Sequence, residues 1–170
     1  MDSLINGTLA NLADVKGNPR FENDADRSLP SLATLAPWGR IHGLCLVSLQ
    51  KGAGEEEALS PSAGMPLRRF GEQISDFADT AALIESLDLV ISVDTAVAHL
   101  AGALGKPCWL LLSDYKTDWR WLVARDDSPW YPGTMRLFRQ RPGEGWPALV
   151  ESVAQALGEW VKSRHPAPVV

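Results

Sequence analysis

Apolar positions along the chain fall into short runs of strand length, separated by segments of helical or loop character. Residues 44–50 (LCLVSLQ), 89–93 (LVISV) and 108–113 (CWLLLS) read as buried strands, and residues 66–71 and 135–140 as weaker ones. Between them, residues 54–59 suit a short helix. Residues 79–87 place Ala82, Leu83 and Leu87 at helical spacing, with Asp79 as the expected N-cap. Residues 96–104 form a helix of small residues, stopped by Gly105 and followed by Pro107, the usual order of stop signals. A long aromatic-rich connection, 114–134, carries a helical turn at 119–123. Leu149, Val153, Ala156, Leu157 and Trp160 then recur every three to four residues, which predicts an amphipathic closing helix over 146–161. Residues 165–170, rich in proline, read as a loose tail. This alternation is that of helices covering a largely parallel sheet. The weak point is residues 1–16, MDSLINGTLANLADVK, which lack both an apolar run and a clear period although a strand should precede the turn at Gly17-Asn18-Pro19.

Composition narrows the classes. With 170 residues, 45% of them apolar, and seven tryptophans, the chain has the material for one globular domain with a sizeable core and no room for a second. A net charge of −5 argues against a general nucleic-acid binder, so any phosphate chemistry must be local. Both cysteines, Cys45 and Cys108, lie in strand-like runs and read as buried free thiols, which suits a reducing cytoplasm. The start of the chain lacks a basic segment followed by a hydrophobic one, and no apolar run approaches the ~20 residues that span a bilayer. The expectation is a soluble, cytoplasmic chain. His42, His99 and His165 are scattered and no Cys/His spacing suggests a metal, so neither metal nor cofactor is expected.

The stretch DLVISVDTAVAHLAGALGKP, 88–107, concentrates the chemistry. In open parallel sheets ligands bind beyond the carboxyl ends of the strands, where Asp94 and Thr95 fall. A helix start follows at once, and its unpaired N–H groups and partial positive charge favour an anion. Thr95 and His99, four apart, share a face, and Ala96 and the small residues after it leave the backbone approachable. Each residue alone has a plainer reading: Asp94 as an N-cap, His99 as a satisfied core residue, and Ala98, Ala101 and Gly102 as tight helix-to-sheet packing. Their combination at a strand's end is what points to function.

That stretch resembles the Asp-Thr/Ser-Gly/Ala-x-x-His-Leu/Ile-Ala signature of heptosyltransferase-like glycosyltransferases, glycosyltransferase family nine. NDADRSLP, VSLQKGAG, DFADTAALI, DWRWL, DSPWYP and MRLFRQ extend the similarity, in matching order, to the C-terminal part of bacterial tetratricopeptide-repeat proteins that end in such a module. The resemblance covers roughly residues 17–161. It implies the GT-B architecture, two Rossmann-like domains facing a cleft. This chain would be a single C-terminal-type domain of that kind, a mostly parallel sheet with helices on both faces, binding the nucleoside-diphosphate-sugar donor. Carried over, Asp94 would meet the donor sugar or orient a nearby cation. Thr95, Ala96 and Val97 would hold the diphosphate with His99 on the same face, and Arg27 would neutralise the departing phosphate. Gln50 and Lys51 would lie on the nucleoside side. Without the resemblance, Arg27 reads equally as a surface partner of Asp24 or Asp26, and Lys51 as a solvated lysine.

Other signals are weaker. LQKGAGEEE lacks the third glycine of a dinucleotide fingerprint, and its glutamates would repel a pyrophosphate while satisfying that helix start. Trp119, Trp121, Trp130 and Tyr131 could stack on a ligand or anchor the loop. Arg136, Arg139 and Arg141 suggest a solvated face. The expected organisation is an atypical segment at 1–16, a nucleotide-sugar-binding domain at 17–162 and a tail at 163–170. The family's first domain, which supplies much of the acceptor site, has no counterpart here, and no catalytic base is assigned. Either residues 9–15 form a poor first strand or a second chain fills the sheet. Two function classes remain: the donor-binding half of a glycosyltransferase, incomplete by itself, or a noncatalytic nucleotide-sugar-binding or structural module acting with a partner protein.

Overall fold

The computed structural model describes residues 8–13, 24–52, 54–61 and 65–164, with the backbone alone for 8–13, 24 and 25. Six parallel strands form one sheet in the order β3-β2-β1-β4-β5-β6, comprising β1 (Thr8–Ala13), β2 (Leu44–Ser48), β3 (Leu67–Arg69), β4 (Leu89–Val93), β5 (Cys108–Leu112) and β6 (Met135–Arg139). The helices are α1 (Asp24–Arg27), α2 (Phe77–Glu85), α3 (Ala96–Ala103) and α4 (Gly145–Arg164), with a longer 3-10 segment at Leu32–Arg40. This is a Rossmann-like α/β domain.

The segment without a strand signature supplies the central strand. Thr8 to Asn11 pair with Leu44 to Val47 on one side, and Ala10 to Ala13 pair with Leu89 to Ser92 on the other. TLANLA is not a strong strand sequence, but a strand paired on both sides gains two ladders of hydrogen bonds, and tertiary context then outweighs propensity. No second chain is needed to complete the sheet.

Alternation along the strands sorts the core into two layers. Leu44, Leu46, Leu89, Ile91, Trp109, Leu111 and Phe138 face α4 and the Leu32–Arg40 segment. Val47, Val90, Cys108, Leu110, Leu112, Met135 and Leu137 face α2 and α3, with Ile84, Ala98 and Ala101 as the helix side of that layer. Every residue of β4 and β5 is buried, as strands covered on both faces require. Trp38, itself buried, ties the first layer by donating its Nε1–H to the Val150 carbonyl at 3.0 Å.

Some local expectations shift. Asp76, not Asp79, caps α2: its carboxylate accepts from the N–H groups of Ala78 and Asp79 at 2.8 and 3.0 Å, while Asp79 reaches back to the N–H of Ser75. The short helix at 54–59 is a 3-10 turn, Glu55–Leu59, and the aromatic turn narrows to Trp119–Trp121. Cys108 is buried but Cys45 only half-buried. Arg139 is not solvated: it donates to the carbonyls of Trp121 and Arg125 and pins that loop to β6. No helix among the described residues is long and apolar enough to cross a membrane. The Gly17-Asn18-Pro19 turn and residues 165–170 lie outside the described residues.

Candidate functional site

Because all six strands run the same way, their carboxyl ends share one edge, and four elements meet there. β4 delivers Asp94, and α3 begins two residues later. Thr95 occupies the N-cap in extended backbone, but its side chain does not cap; its hydroxyl lies 3.1 Å from that of Ser92. Asp94 is therefore not an N-cap either. The Thr95 side chain thus leaves the first-turn N–H groups uncapped, beside exposed Ala96 and half-buried Val97.

Asp94 is bound from elsewhere. Arg27, at the end of α1 and followed by the buried anchors Ser28 and Leu29, donates from Nη2 to Asp94 Oδ2 at 2.5 Å. The pair is half-enclosed, with the Arg27 side chain 31% and the Asp94 side chain 13% exposed. His99 places Nε2 3.9 Å from Asp94 Oδ1, so cation, carboxylate and imidazole gather at the start of α3.

The aromatic connection holds this group in place. His99 Nδ1 is 2.9 Å from the Tyr131 hydroxyl, and the ring stacks on buried Trp121 at 5.3 Å between centroids. Gly102 makes room for Tyr131, since a Cβ there would lie 2.5 Å from the tyrosine ring. Its small size thus serves the loop, whereas Ala98 and Ala101 serve the packing against the sheet. Asp118 borders the site as well. The N–H of Arg120 holds its carboxyl below the usual range, and the guanidinium groups of Arg120 and Arg27 add to that. Trp119 and Trp130 remain exposed, in an edge-to-face pair.

A cleft of about 380 Å³ opens beside α3 on the same edge, lined by Leu49, Gln50, Lys51, Ile74, Phe77 and Val97 among others. Its lining is mostly apolar, and Asp76, the N-cap of α2, and Thr80 within α2 add polar groups. Gln50 is buried in it. Lys51 is exposed and donates to the Gly71 carbonyl at 3.2 Å. The glutamates after the glycine turn have other duties: Glu55 accepts from the Gly52 N–H, and Glu57 from that of Leu32. Among the described residues no cluster could hold a metal.

The sequence thus located the strand end, the helix start and the cleft's β2 wall. It did not point to Asp118 or the α2 wall, and it read Gly102 as helix-to-sheet packing and Tyr131 as stacking on a ligand or anchoring the loop, without the contact of Gly102 with Tyr131 or the bond of Tyr131 to His99. A glycine inside a helical run was the legible hint for Gly102, since such a residue usually marks close packing.

These features define a class: an open α/β sheet with a helix start and a largely apolar cleft at the same edge. Residues 75–111, from the cap of α2 to β5, match the model of glycosyltransferase family 9 (heptosyltransferase). Over 125 residues the chain is 31% identical to protein FlbA of Caulobacter vibrioides, a stretch that covers 71% of this chain and 20% of FlbA. In fold it resembles ADP-heptose LPS heptosyltransferase II of E. coli, with a TM-score of 0.61 and 16% identity, covering 94% of this chain and 48% of that one. The chain therefore spans about a fifth of the first relative and about half of the second. It carries a heptosyltransferase-like domain of glycosyltransferase family 9.

Proposed function

We propose that this domain binds a nucleoside-diphosphate sugar as the donor side of a glycosyl-transfer reaction. The nucleoside would occupy the 380 Å³ cleft against Gln50, Lys51 and Val97. The diphosphate would lie along the first turn of α3, where the amides of Ala96 and Val97 have no partner within the helix and the helix dipole favours negative charge. The sugar would then reach Asp94 and His99. Arg27 supplies the fixed cation for the charge that develops on the departing nucleoside diphosphate. The observation that carries this reading is the continuity of cleft and helix start: Val97 lines the first and belongs to the second.

Transfer itself requires an acceptor hydroxyl held in attack geometry, and such positioning is worth ~7–11 kcal/mol of barrier. We assign that task to a surface facing this edge, supplied by a further domain or a second chain, rather than to the residues described. The test is a calorimetric titration with a panel of nucleoside diphosphates and nucleotide sugars. An NMR titration alongside it follows the amides of Thr95, Ala96, Val97, Gln50 and Phe77. Saturable binding that moves both the cleft and the α3 amides is expected. Binding that moves neither group, or none at all, refutes the donor site and favours a purely structural module.

A further inference from the structure

The two ring nitrogens of His99 have different neighbours. Nδ1 lies 2.9 Å from the Tyr131 hydroxyl and Nε2 3.9 Å from Asp94 Oδ1, while Trp121 stacks on the ring face. We propose that Tyr131 is a positioning residue: its hydroxyl donates to Nδ1 and holds the neutral imidazole in its Nε2–H form, so that His99 presents a hydrogen-bond donor, and not a base, to the ligand. The choice of tautomer follows from the site alone. Its use rests on the donor-site reading above, to which it adds the kind of sugar group that is recognised.

A neutral imidazole carries one proton, and its two neighbours decide where. A tyrosine hydroxyl can donate or accept, whereas a carboxylate only accepts. With the proton on Nδ1, the Nε2 lone pair would be set beside the Asp94 carboxylate, acceptor against acceptor. With the proton on Nε2, a partial positive charge lies beside Oδ1 and Nδ1 accepts from Tyr131, so both neighbours are suited. Arg27 leaves this arrangement intact because it takes the other oxygen, Oδ2. Gly102, three residues beyond His99 on α3, sets the tyrosine: a Cβ there would meet the ring at 2.5 Å, and its absence lets the ring lie against the helix with its hydroxyl at Nδ1. The 3.9 Å between Nε2 and Oδ1 is too long for a direct hydrogen bond, and it has a donor on one side and an acceptor on the other. A hydroxyl complements both, accepting from Nε2–H and donating to Asp94, whereas an unprotonated phosphate oxygen suits only the first. Held this way, Nε2 has no lone pair to take a proton from an attacking hydroxyl, which leaves the base to the facing surface.

The first measurement needs no ligand. Long-range 1H–15N correlation spectra of the 15N-labelled chain, recorded at about pH 8.5, above the ordinary ~6.5 of a histidine, distinguish a protonated ring nitrogen from one with a lone pair. His99 should show a protonated Nε2 and an unprotonated Nδ1, and Tyr131→Phe should shift the Nδ1 resonance toward that of a lone pair without a donor. A protonated Nδ1, a mixture of forms, or an Nδ1 resonance unmoved by Tyr131→Phe overturns the proposal. The second measurement titrates the wild-type chain, Tyr131→Phe, His99→Ala and the double variant with nucleoside diphosphates and the matching nucleotide sugars. Tyr131→Phe should weaken the nucleotide sugars about threefold to tenfold, the scale of one hydrogen bond, and leave the bare diphosphates unchanged. In the His99→Ala background it should change neither, because Tyr131 acts through His99. Equal weakening of both ligand classes, or a loss that persists without His99, makes Tyr131 a structural prop and overturns its positioning role. Failure of every probe to bind the wild type removes the donor site, and the hydroxyl reading with it, while the tautomer is judged by the ligand-free spectra. Unfolding midpoints check that each variant is folded, and those spectra decide the tautomer even where His99→Ala is not.

Discussion

Gly102→Ala is the sharpest probe of how the aromatic loop holds the site. An alanine Cβ would stand 2.5 Å from Tyr131 Cδ1, 2.6 Å from Cγ and 2.9 Å from Cε1. The ring must retreat by about 1 Å to reach ordinary contact, a displacement of the kind that costs ~1–3 kcal/mol in a packed setting. It has little freedom to do so. The Tyr131 N–H bonds to Ser128, its carbonyl accepts from Thr134 and Met135, and its hydroxyl meets His99 at 2.9 Å. Loss of that last bond adds ~1 kcal/mol, and the better helix propensity of alanine returns ~1 kcal/mol. The net expectation is a loss of about 1–3 kcal/mol, or about 2–12 °C in Tm for a chain of this size. Urea unfolding followed by tryptophan fluorescence and circular dichroism measures it. The control is Tyr131→Ala, which empties the space: in that background Gly102→Ala should be neutral or stabilising, giving a coupling of ~2 kcal/mol. Tyr131→Phe keeps the ring and should keep the penalty. An unchanged or raised unfolding midpoint for Gly102→Ala, or the same cost with and without the ring, would refute the reasoning.

Asp76→Ala removes both cap bonds of α2 and should cost ~1 kcal/mol by urea denaturation, whereas Asp79→Ala should cost less because it frees only the Ser75 N–H. Trp38→Phe deletes the bond to Val150 and leaves a void between α4 and the sheet, with a loss of ~1–3 kcal/mol expected by the same assay. Burial pushes the Cys108 thiol from its ordinary 9.0 up to about 12. The unfolded chain therefore gives up that proton first, and this contribution to stability, complete below about pH 9, is lost as pH rises toward about 12. Stability should fall more steeply with pH over that window in the wild type than in Cys108→Ala, and parallel curves would count against it. At pH 8 a thiol reagent should label half-buried Cys45 before Cys108.

What could be seen in the sequence was what short-range periodicity encodes. β4, α3 and β5 stand out because a continuous apolar run, a small-residue helix and a Gly-then-Pro stop each carry their own signal. Asp94 was legible as a strand-end residue for the same reason. Its partner was not: Arg27 lies 67 positions away, and nothing local distinguishes it from a surface arginine beside Asp24 and Asp26. The 3-10 segment Leu32–Arg40 escaped because it contains Pro37 and has no 3.6-residue period to find, yet it buries Leu32, Leu35 and Trp38. The cap lies at Asp76 rather than Asp79 because α2 starts a turn before the Ala82, Leu83 and Leu87 period, with Phe77 63% exposed at its first position and off the buried face. His99 fitted neither plain category, since it is half-exposed and bridges Asp94 and Tyr131.

The central position of β1 has a consequence for the order of events on the ribosome. Its neighbour β2 follows soon, but the strand that covers its other side, β4, is synthesised about 80 residues later, roughly 4–16 s at ~5–20 residues per second. Until then β1 has an open flank, at first alone, then beside β2, and within a β1–β2–β3 sheet only between the completion of β3 at Arg69 and the start of β4 at Leu89. A strand as sticky as LVISV waiting there would invite pairing with a neighbouring chain. TLANLA, with Asn11 and few β-branched residues, is a poor template for such pairing. The same weakness that hides this strand from a reader of the sequence protects the growing chain until its own β4 arrives.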